Sequence, residues 1–288
     1  VFATTANAGC PPDTFFIAGQ DWGFPPMNPT AARATGHAYF RRALAHHLRH
    51  ATMLRVDHVM GFERLWWIPH GAPPTAGTYV AYPADEHFAI LSLESHRARS
   101  VVIGEDLGVV SSSMRRAMRR HHVIGSWVAQ GALEDVPRRG DYDRPARRTV
   151  ASLNTHDMPT FAGFAAGADI DDRVALGQID ADTGRRQHEE RAALIEATKA
   201  LVGADDLRGL LDGLVEQLGA SAAAIVLVNL EDLWLEPRSQ NVPGTSTERP
   251  NWRRPLAHGI ETLDAIPGVS ATMERLRAAR RGARNGTS

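Results

Sequence analysis

Three carboxylate residues stand at the ends of short apolar runs in this sequence: Asp57 in "RVDH", Glu105 in "GEDLG" and Asp157 in "NTHDMP". Such a trio suggests acetal chemistry, because cleaving a glycosidic bond with retention needs two carboxyl groups in different states. One must be ionised to attack the anomeric carbon, and the other must be protonated to donate to the leaving oxygen. We therefore predict sugar chemistry around these residues.

The neighbours of Asp57 and Glu105 indicate how the two carboxyl groups differ. Side chains alternate along a strand, so Arg55 is expected on the face of Asp57, where its positive charge favours the ionised carboxylate. Glu105 follows the apolar residues 101–103, and an apolar wall raises a carboxyl pKa, as a general acid requires. Alternatively, Arg55 and Asp57 form a structural ion pair, and Glu105 or Asp106 caps a helix. The presence of all three carboxylates favours the catalytic interpretation.

Apolar runs rich in β-branched residues predict the strands that must position these side chains. The runs cover residues 52–59, 100–106, 124–129, 149–157 and 223–232. Helices are predicted over residues 32–50, 84–99, 111–121 and 185–202. Alternating strands and helices indicate a parallel sheet covered on both faces, and a (β/α)8 TIM-type barrel keeps its chemistry at the carboxyl ends of its strands.

The five runs predict only part of a barrel, which needs eight strands and here lacks its first ones. Residues 1–30, rich in Gly, Pro and aromatic residues, are predicted to form a substrate-binding loop. Residues 52–260 carry the strands and motif loops. The basic tail over residues 275–288 is predicted to be a fraying helix and a disordered end.

Composition excludes several classes of partner. The 32 basic and 33 acidic residues form no long single-sign block, so no electrostatic footprint for nucleic acid or an anionic membrane is present. No apolar run approaches the roughly 20 residues that cross a bilayer. Cys10 is the only cysteine, which excludes an internal disulfide and, without a signal-peptide layout, predicts a cytoplasmic protein. The sequence has no phosphate loop or metal-ligand spacing, so no cofactor is expected.

Five segments resemble, in order and spacing, the motifs of the amylomaltases, the 4-α-glucanotransferases of glycoside hydrolase family 77. They extend from about residue 9 to about residue 260 and read "GCPPDTFFIAGQDWGFPPMNP", "LRVDHVMGFERLWWIP", "VVIGEDLG", "SLNTHDMPTFAGF" and "NLEDLWLEPRSQNVPGTSTERPNWRR". The resemblance implies a retaining transferase on a (β/α)8 barrel. Its implied partner is maltodextrin, maltose or another α-1,4-glucan.

The resemblance also implies a role for individual residues. Asp57 matches the nucleophile, Glu105 the general acid/base, and Asp157 the third carboxylate, which binds sugar hydroxyls and stabilises the transition state. Arg55 and His156 match positions that hold the nucleophile and the sugar. The other matched substrate-contacting positions are Asp13, Gln20, Trp22 and Asn241.

Three further expectations follow from the family pattern. Asp106 should point away from the site that Glu105 enters and serve the structure. Met60 stands where many relatives have arginine, which we interpret as variation near the barrel rim. Family members are much longer and carry the first barrel strands upstream of "GQDWG". The chain over residues 1–288 is therefore interpreted as the C-terminal portion of a catalytic barrel.

Two other functions stay open, namely net hydrolysis of the amylase type and an inactive truncated fragment that binds glucan. Hydrolysis uses the same three carboxylates, whereas "GQDWG" and "NVPGT" belong to the amylomaltase pattern and favour transfer. Several side chains also keep two interpretations, one in packing or structure and one in the sugar site; they are His58, Trp66, Trp67, Glu231 and Asp232.

Overall fold

The fold is a mixture of helices and strands, in a computed structural model that describes residues 1–13 and 17–285. The chain divides into two compact units, Val1–Ser126 and Trp127–Ser288. In the described ranges, no helix has the length and apolar character needed to traverse a bilayer.

The first unit contains six complete strands, the start of a seventh, and four α-helices among its described residues. Its strands are β1 (Ala6–Cys10), β2 (Gln20–Asp21), β3 (Met53–Val56), β4 (Arg64–Pro69), β5 (Thr78–Ala81), β6 (Val101–Gly104) and β7 (Gly125–Val128), which continues into the second unit. Its helices are α1 (Pro29–Ala34), α2 (Ala38–Leu48), α3 (Ala84–Ala98) and α4 (Ser112–Arg120).

Two sheets organise the first unit. Four strands form an antiparallel sheet in the order β2-β1-β4-β5. β3 and β6 run parallel with Val56 opposite Gly104, and a parallel bridge joins Ile103 to Ile124, just before β7. Because β3 and β6 are parallel, their carboxyl ends lie at the same edge. Asp57 and Glu105 follow these two ends directly.

The prediction of a loop over residues 1–30 is wrong in part, because this stretch contains β1, β2 and the start of α1. β1 pairs with β4, where Ala8 lies opposite Trp67 and Gly9 opposite Trp66. The small residues of β1 have little strand propensity of their own. Its strand conformation comes from pairing with β4, which the sequence prediction also missed.

The interpretation of Met60 as rim variation is wrong, because this side chain is 8% exposed and lies in the core of the first unit. It packs in one apolar cluster with Val59, Phe62 and Phe88. A flexible thioether fills such a space at no electrostatic cost, whereas a charged group there would need a partner.

The second unit continues with two further strands and eight α-helices among its described residues. The strands are β8 (Thr149–Ser152) and β9 (Ile225–Leu227), and the sheet order is β7-β8-β9 with β8 and β9 parallel. The helices are α5 (Ala129–Ala132), α6 (Val136–Arg139), α7 (Phe161–Ala166), α8 (Ala168–Ala175), α9 (Ala181–Val202), α10 (Leu207–Ala220), α11 (Leu230–Leu233) and α12 (Val269–Asn285).

Residues 275–285 of the basic tail belong to α12, so a helix is present as predicted and the predicted disordered end does not begin within them; residues 286–288 lie outside the described ranges. Leu276 is 9% exposed and belongs to the core cluster that includes Leu214 and Leu218 of α10. The guanidinium of Arg280 donates to the backbone carbonyls of residues 219, 221, 223 and 224. The helix α12 thus packs an apolar face against α10, and its Arg280 donates to carbonyls at and just beyond the end of α10.

Candidate active site

The carboxylate of Asp57 is held by Arg55, as the alternation of strand side chains predicts. Arg55 lies on β3, and its Nη1 is 2.6 Å from Oδ1 of Asp57. The Asp57 side chain is 74% exposed. A guanidinium that fixes one face of an accessible carboxylate leaves its other lone pairs free to meet a substrate.

Glu105 has the opposite environment. Its Oε1 accepts a hydrogen bond of 2.6 Å from the Leu107 amide and its Oε2 one of 3.0 Å from the His58 amide. Burial raises the pKa of Glu105, and the charge of Asp57 adds to this, while the two amide bonds and Arg55 act against it. The net upward direction is the one that a general acid requires, and the catalytic role of Glu105 stays a prediction.

Asp106, the second acid of "GEDLG", has a structural role, as expected. It is 10% exposed, and its Oδ1 accepts a 2.7 Å hydrogen bond from the Ser126 amide. Its Oδ2 lies 3.9 Å from Nη1 of Arg115 on α4. Of the two neighbouring acids, Asp106 therefore holds the framework of the first unit, whereas Glu105 belongs to the candidate site.

An aromatic wall stands beside the Asp57–Glu105 pair. The Trp22 ring meets the edge of the His58 ring at a centroid distance of 5.2 Å and stacks with Phe24 at 6.1 Å. Trp22 Nε1 donates to Oε1 of Gln20 over 3.3 Å, and that oxygen also accepts from the Cys10 thiol at 3.4 Å. Trp22, a predicted substrate residue, therefore contacts His58, the residue that follows Asp57. Trp22 is in turn hydrogen-bonded to Gln20, another predicted substrate residue.

Asp13 lies at the other end of the same motif, next to residues 14–16, which are outside the described ranges. It is exposed, and its charge contributes, after burial, to raising the pKa of the Cys10 thiol. Its contact with sugar stays a prediction.

A second cluster lies in the second unit around Asp157, which follows β8. Its Oδ1 accepts a 2.8 Å hydrogen bond from Nδ2 of Asn241, and its Oδ2 is 3.2 Å from Nε2 of His156. The structure therefore brings together three residues that the sequence singles out from segments 84 positions apart. Trp252, which was not predicted as a site residue, is 58% exposed with its ring centroid 6.0 Å from that of His156.

A buried polar network underlies this cluster. Asp232 is fully buried; its Oδ2 accepts from Nδ2 of Asn154 at 3.0 Å and its Oδ1 from the Phe161 amide at 2.7 Å. Asn229 in turn donates to the side-chain carbonyl of Asn154. Burial raises the pKa of Asp232 to about 6, although these hydrogen bonds act in the other direction. These contacts favour the structural interpretation of Asp232.

Glu231 also has partners within the protein. Its Oε1 accepts hydrogen bonds from Nη2 of Arg254 at 2.6 Å and from Nε2 of Gln240 at 3.1 Å. Gln240 precedes Asn241 in the chain, so Glu231 anchors the start of the "NVPGT" segment. This favours a supporting role over a subsite wall.

Trp66 and Trp67 use their indole N–H groups inside the first unit. Trp66 Nε1 donates to the Pro74 carbonyl at 2.9 Å, and Trp67 Nε1 donates to the hydroxyl of Tyr82 at 3.1 Å. Both side chains are half-buried. The packing interpretation is favoured over stacking on sugar rings.

Gly9 allows β2, and with it Gln20, to approach β1 closely. A Cβ at Gly9 would collide with the Gln20 carbonyl oxygen and lie 2.6 Å from Cδ1 of Ile68. We expect Gly9→Ala to lower the free energy of unfolding by about 1–3 kcal/mol, because the strands must separate to admit the methyl group. Urea unfolding measures this, with Gly131→Ala in α5 as the control, since a Cβ there meets open space. Equal stability of the two variants would contradict the close approach.

Known proteins match this chain over most of its length. The family profile described as 4-alpha-glucanotransferase, glycoside hydrolase family 77, matches residues 1–261. The 4-alpha-glucanotransferase of Mycobacterium tuberculosis is 38% identical over 271 residues, which are 89% of this chain and 37% of that protein. The enzyme of the same name from Haemophilus influenzae is 33% identical over 277 residues, 90% of this chain and 39% of that protein.

Solved structures give the same relationship. The amylomaltase of Corynebacterium glutamicum superposes with a TM-score of 0.82 at 30% identity, over 97% of this chain and 43% of that one. The amylomaltase of Streptococcus agalactiae in complex with acarbose gives 0.73 at 19% identity, over 96% and 51%, and shows likeness of fold. The chain spans about two fifths of the length of the first curated relatives that it matches.

Proposed function

Since this chain belongs to glycoside hydrolase family 77, the 4-alpha-glucanotransferases, we propose that it carries the catalytic residues of a retaining transferase acting on α-1,4-glucans. The observation that supports this most is the contrast between Asp57 and Glu105, which directly follow the ends of two adjacent parallel strands. Asp57 is exposed and held by Arg55, whereas burial raises the pKa of Glu105. A retaining mechanism needs this division of states.

In the proposed reaction, a carboxylate oxygen of Asp57 attacks the anomeric carbon while protonated Glu105 gives its proton to the departing glycosidic oxygen. The product is a covalent glycosyl ester and a shortened glucan. Glu105, now ionised, takes the proton from the 4-hydroxyl of an acceptor sugar, whose oxygen attacks the same carbon and releases Asp57. The number of glycosidic bonds is unchanged, and two inversions give overall retention.

The cluster of the second unit supplies further proposed sugar contacts. Asp157 is half-exposed and oriented by Asn241 and His156, so its carboxylate suits hydrogen bonds to sugar hydroxyls. Trp252 adds an exposed indole beside His156, and an aromatic plane packs well against the apolar face of a pyranose. We assign Gln20, Trp22 and Asp13 to substrate contact by the same family match.

We further propose that the parallel strands belong to a (β/α)8 barrel that is completed by residues outside this chain. The small share of the relatives that the chain spans supports a portion of a longer protein, and the family resemblance of its motifs implies the C-terminal portion of the catalytic domain. The single half-buried cysteine fits the reducing interior of the cytoplasm, where we place the protein in maltodextrin and glycogen metabolism.

Incubation with maltotriose tests the proposed function. The complete protein should give glucose and a ladder of longer maltodextrins with almost constant reducing ends, because transfer conserves glycosidic bonds. The 288-residue chain alone should give no product, because the remaining strands would supply part of the site. Reducing ends that rise in step with maltotriose loss would assign hydrolysis. A ladder from the isolated chain would contradict the proposed partial barrel.

A further inference from the structure

His58, the residue after the proposed nucleophile, has a left-handed backbone conformation with φ 43° and ψ 61°. This conformation costs an L-residue other than glycine roughly 1–2 kcal/mol. Such residues persist where the surroundings hold them, and they cluster at functional sites. The question is what this turn achieves between β3 and the following helical turn.

The turn directs two successive amide groups at Glu105. The His58 amide donates to Oε2 of the Glu105 side chain at 3.0 Å, and the Val59 amide donates to the Glu105 backbone carbonyl at 3.0 Å. The Glu105 amide in turn donates to the carbonyl of Val56 at 2.9 Å. The backbone beyond β3 is thereby fixed to residue 105, and the left-handed turn aims the first amide at the carboxylate.

The imidazole of His58 makes a separate contact. Its ring meets the Trp22 ring edge-on at 5.2 Å. Burial lowers the pKa of His58, against the opposing charge of Asp57. Trp22 is itself tied to Gln20. Backbone and side chain of one residue therefore contact two different parts of the proposed site.

We propose that His58 is a positioning residue with two separable tasks: its left-handed backbone holds an amide on the Glu105 carboxylate, and its imidazole holds Trp22 in the substrate wall. The first task rests on the proposed role of Glu105 as acid/base. An amide donor stabilises the ionised form and opposes burial. Glu105 can then alternate between proton donor and proton acceptor within one turnover.

Substitutions at position 58 separate the two tasks, because they differ in their tolerance of the left-handed region. Gly and Asn adopt it readily, whereas a β-branched Val does not. The midpoint of the Glu105 titration is followed in the complete protein by carboxyl ¹³C NMR of labelled glutamate, with Glu105→Gln identifying the resonance. His58→Val should move this midpoint to higher pH. His58→Gly and His58→Asn should leave it in place or lower it, since loss of the ring admits water.

Kinetics with maltotriose test the second task. His58→Gly and His58→Asn should raise KM several-fold with little loss of kcat, because only the support of Trp22 is removed. His58→Val should lower kcat and move the basic limb of the pH profile upward. If His58→Val does not fold, His58→Ala, whose cost in the left-handed region is intermediate, tests the same direction.

The titration and the kinetics test the two tasks of His58 separately. An unchanged Glu105 midpoint in His58→Val, or an upward move in His58→Gly as well, would overturn the backbone task. An unchanged KM in His58→Gly would overturn the imidazole task. Absence of glucan transfer by the unmodified protein would instead refute the proposed function and leave the NMR result standing.

Discussion

Asp57→Asn should abolish turnover of the complete protein on maltotriose and on α-glucosyl fluoride, because no carboxylate remains to form the glycosyl ester. Glu105→Gln should lower kcat on maltotriose by about 10²–10⁴-fold, the usual contribution of general acid–base catalysis. It should retain formation of the glycosyl ester from α-glucosyl fluoride, whose leaving group needs no proton. Fluoride release and maltodextrin analysis measure the two reactions.

The exposed Asp205 supplies a matched control for these carboxylate substitutions. Asp205→Asn should keep both activities, and urea unfolding of all three variants shows whether the fold is retained. Equal loss of fluoride release in Asp57→Asn and Glu105→Gln would remove Glu105 from the role of leaving-group acid. Fluoride release that survives Asp57→Asn would remove Asp57 from the role of nucleophile.

Asp232→Ala should lower the free energy of unfolding by about 2–5 kcal/mol. The substitution removes the acceptor for Nδ2 of Asn154 and for the Phe161 amide, and each unpaired buried donor costs about 1–3 kcal/mol. Urea unfolding at fixed pH measures the loss. Asp205→Asn again serves as the control, and a loss of under about 0.5 kcal/mol, typical of a surface site, would contradict the buried network.

The pH dependence of stability gives an independent test of Asp232. Its folded-state pKa of about 6 exceeds the unfolded value of about 3.9, so the folded state keeps a proton that the unfolded state loses. Stability from this group is present below about pH 4 and falls as the pH rises to about 6, by roughly 3 kcal/mol. Asp232→Asn should remove this fall. A wild-type minus Asp232→Asn difference that is flat across pH would refute it.

Local sequence patterns predicted the parallel strands, because a run of apolar residues is visible in the sequence without knowledge of the strand that pairs with it. The strands β3, β6, β7, β8 and β9 all lie within predicted runs, and each is shorter than its run. The predicted helix over residues 32–50 is instead two helices, since Gly36 and His37 have positive φ angles of 58° and 53°. β1 could not be predicted, because its pairing with β4 joins residues far apart in the chain.

The candidate site shows the same division between local and distant information. The Arg55–Asp57 contact follows from a spacing of two residues at the end of β3. The raised pKa of Glu105 follows from the apolar residues that precede it. The partnership of Asp232 with Asn154 spans 78 positions, and no local pattern specifies it. Trp252 lies within a recognised motif, "PNWRR", but only the folded loop shows its ring beside His156.

The thiol of Cys10, which donates a hydrogen bond to Gln20, can report on the local opening of the strands around it. The thiol is half-buried, burial raises its pKa, and it is the only cysteine in the sequence. Local separation of β1 from β2 would remove this burial and favour the thiolate, so we expect the rate of alkylation by iodoacetamide to rise with that opening. A glucan that binds against Gln20 and Trp22 would slow the alkylation, and its affinity could then be read without any turnover.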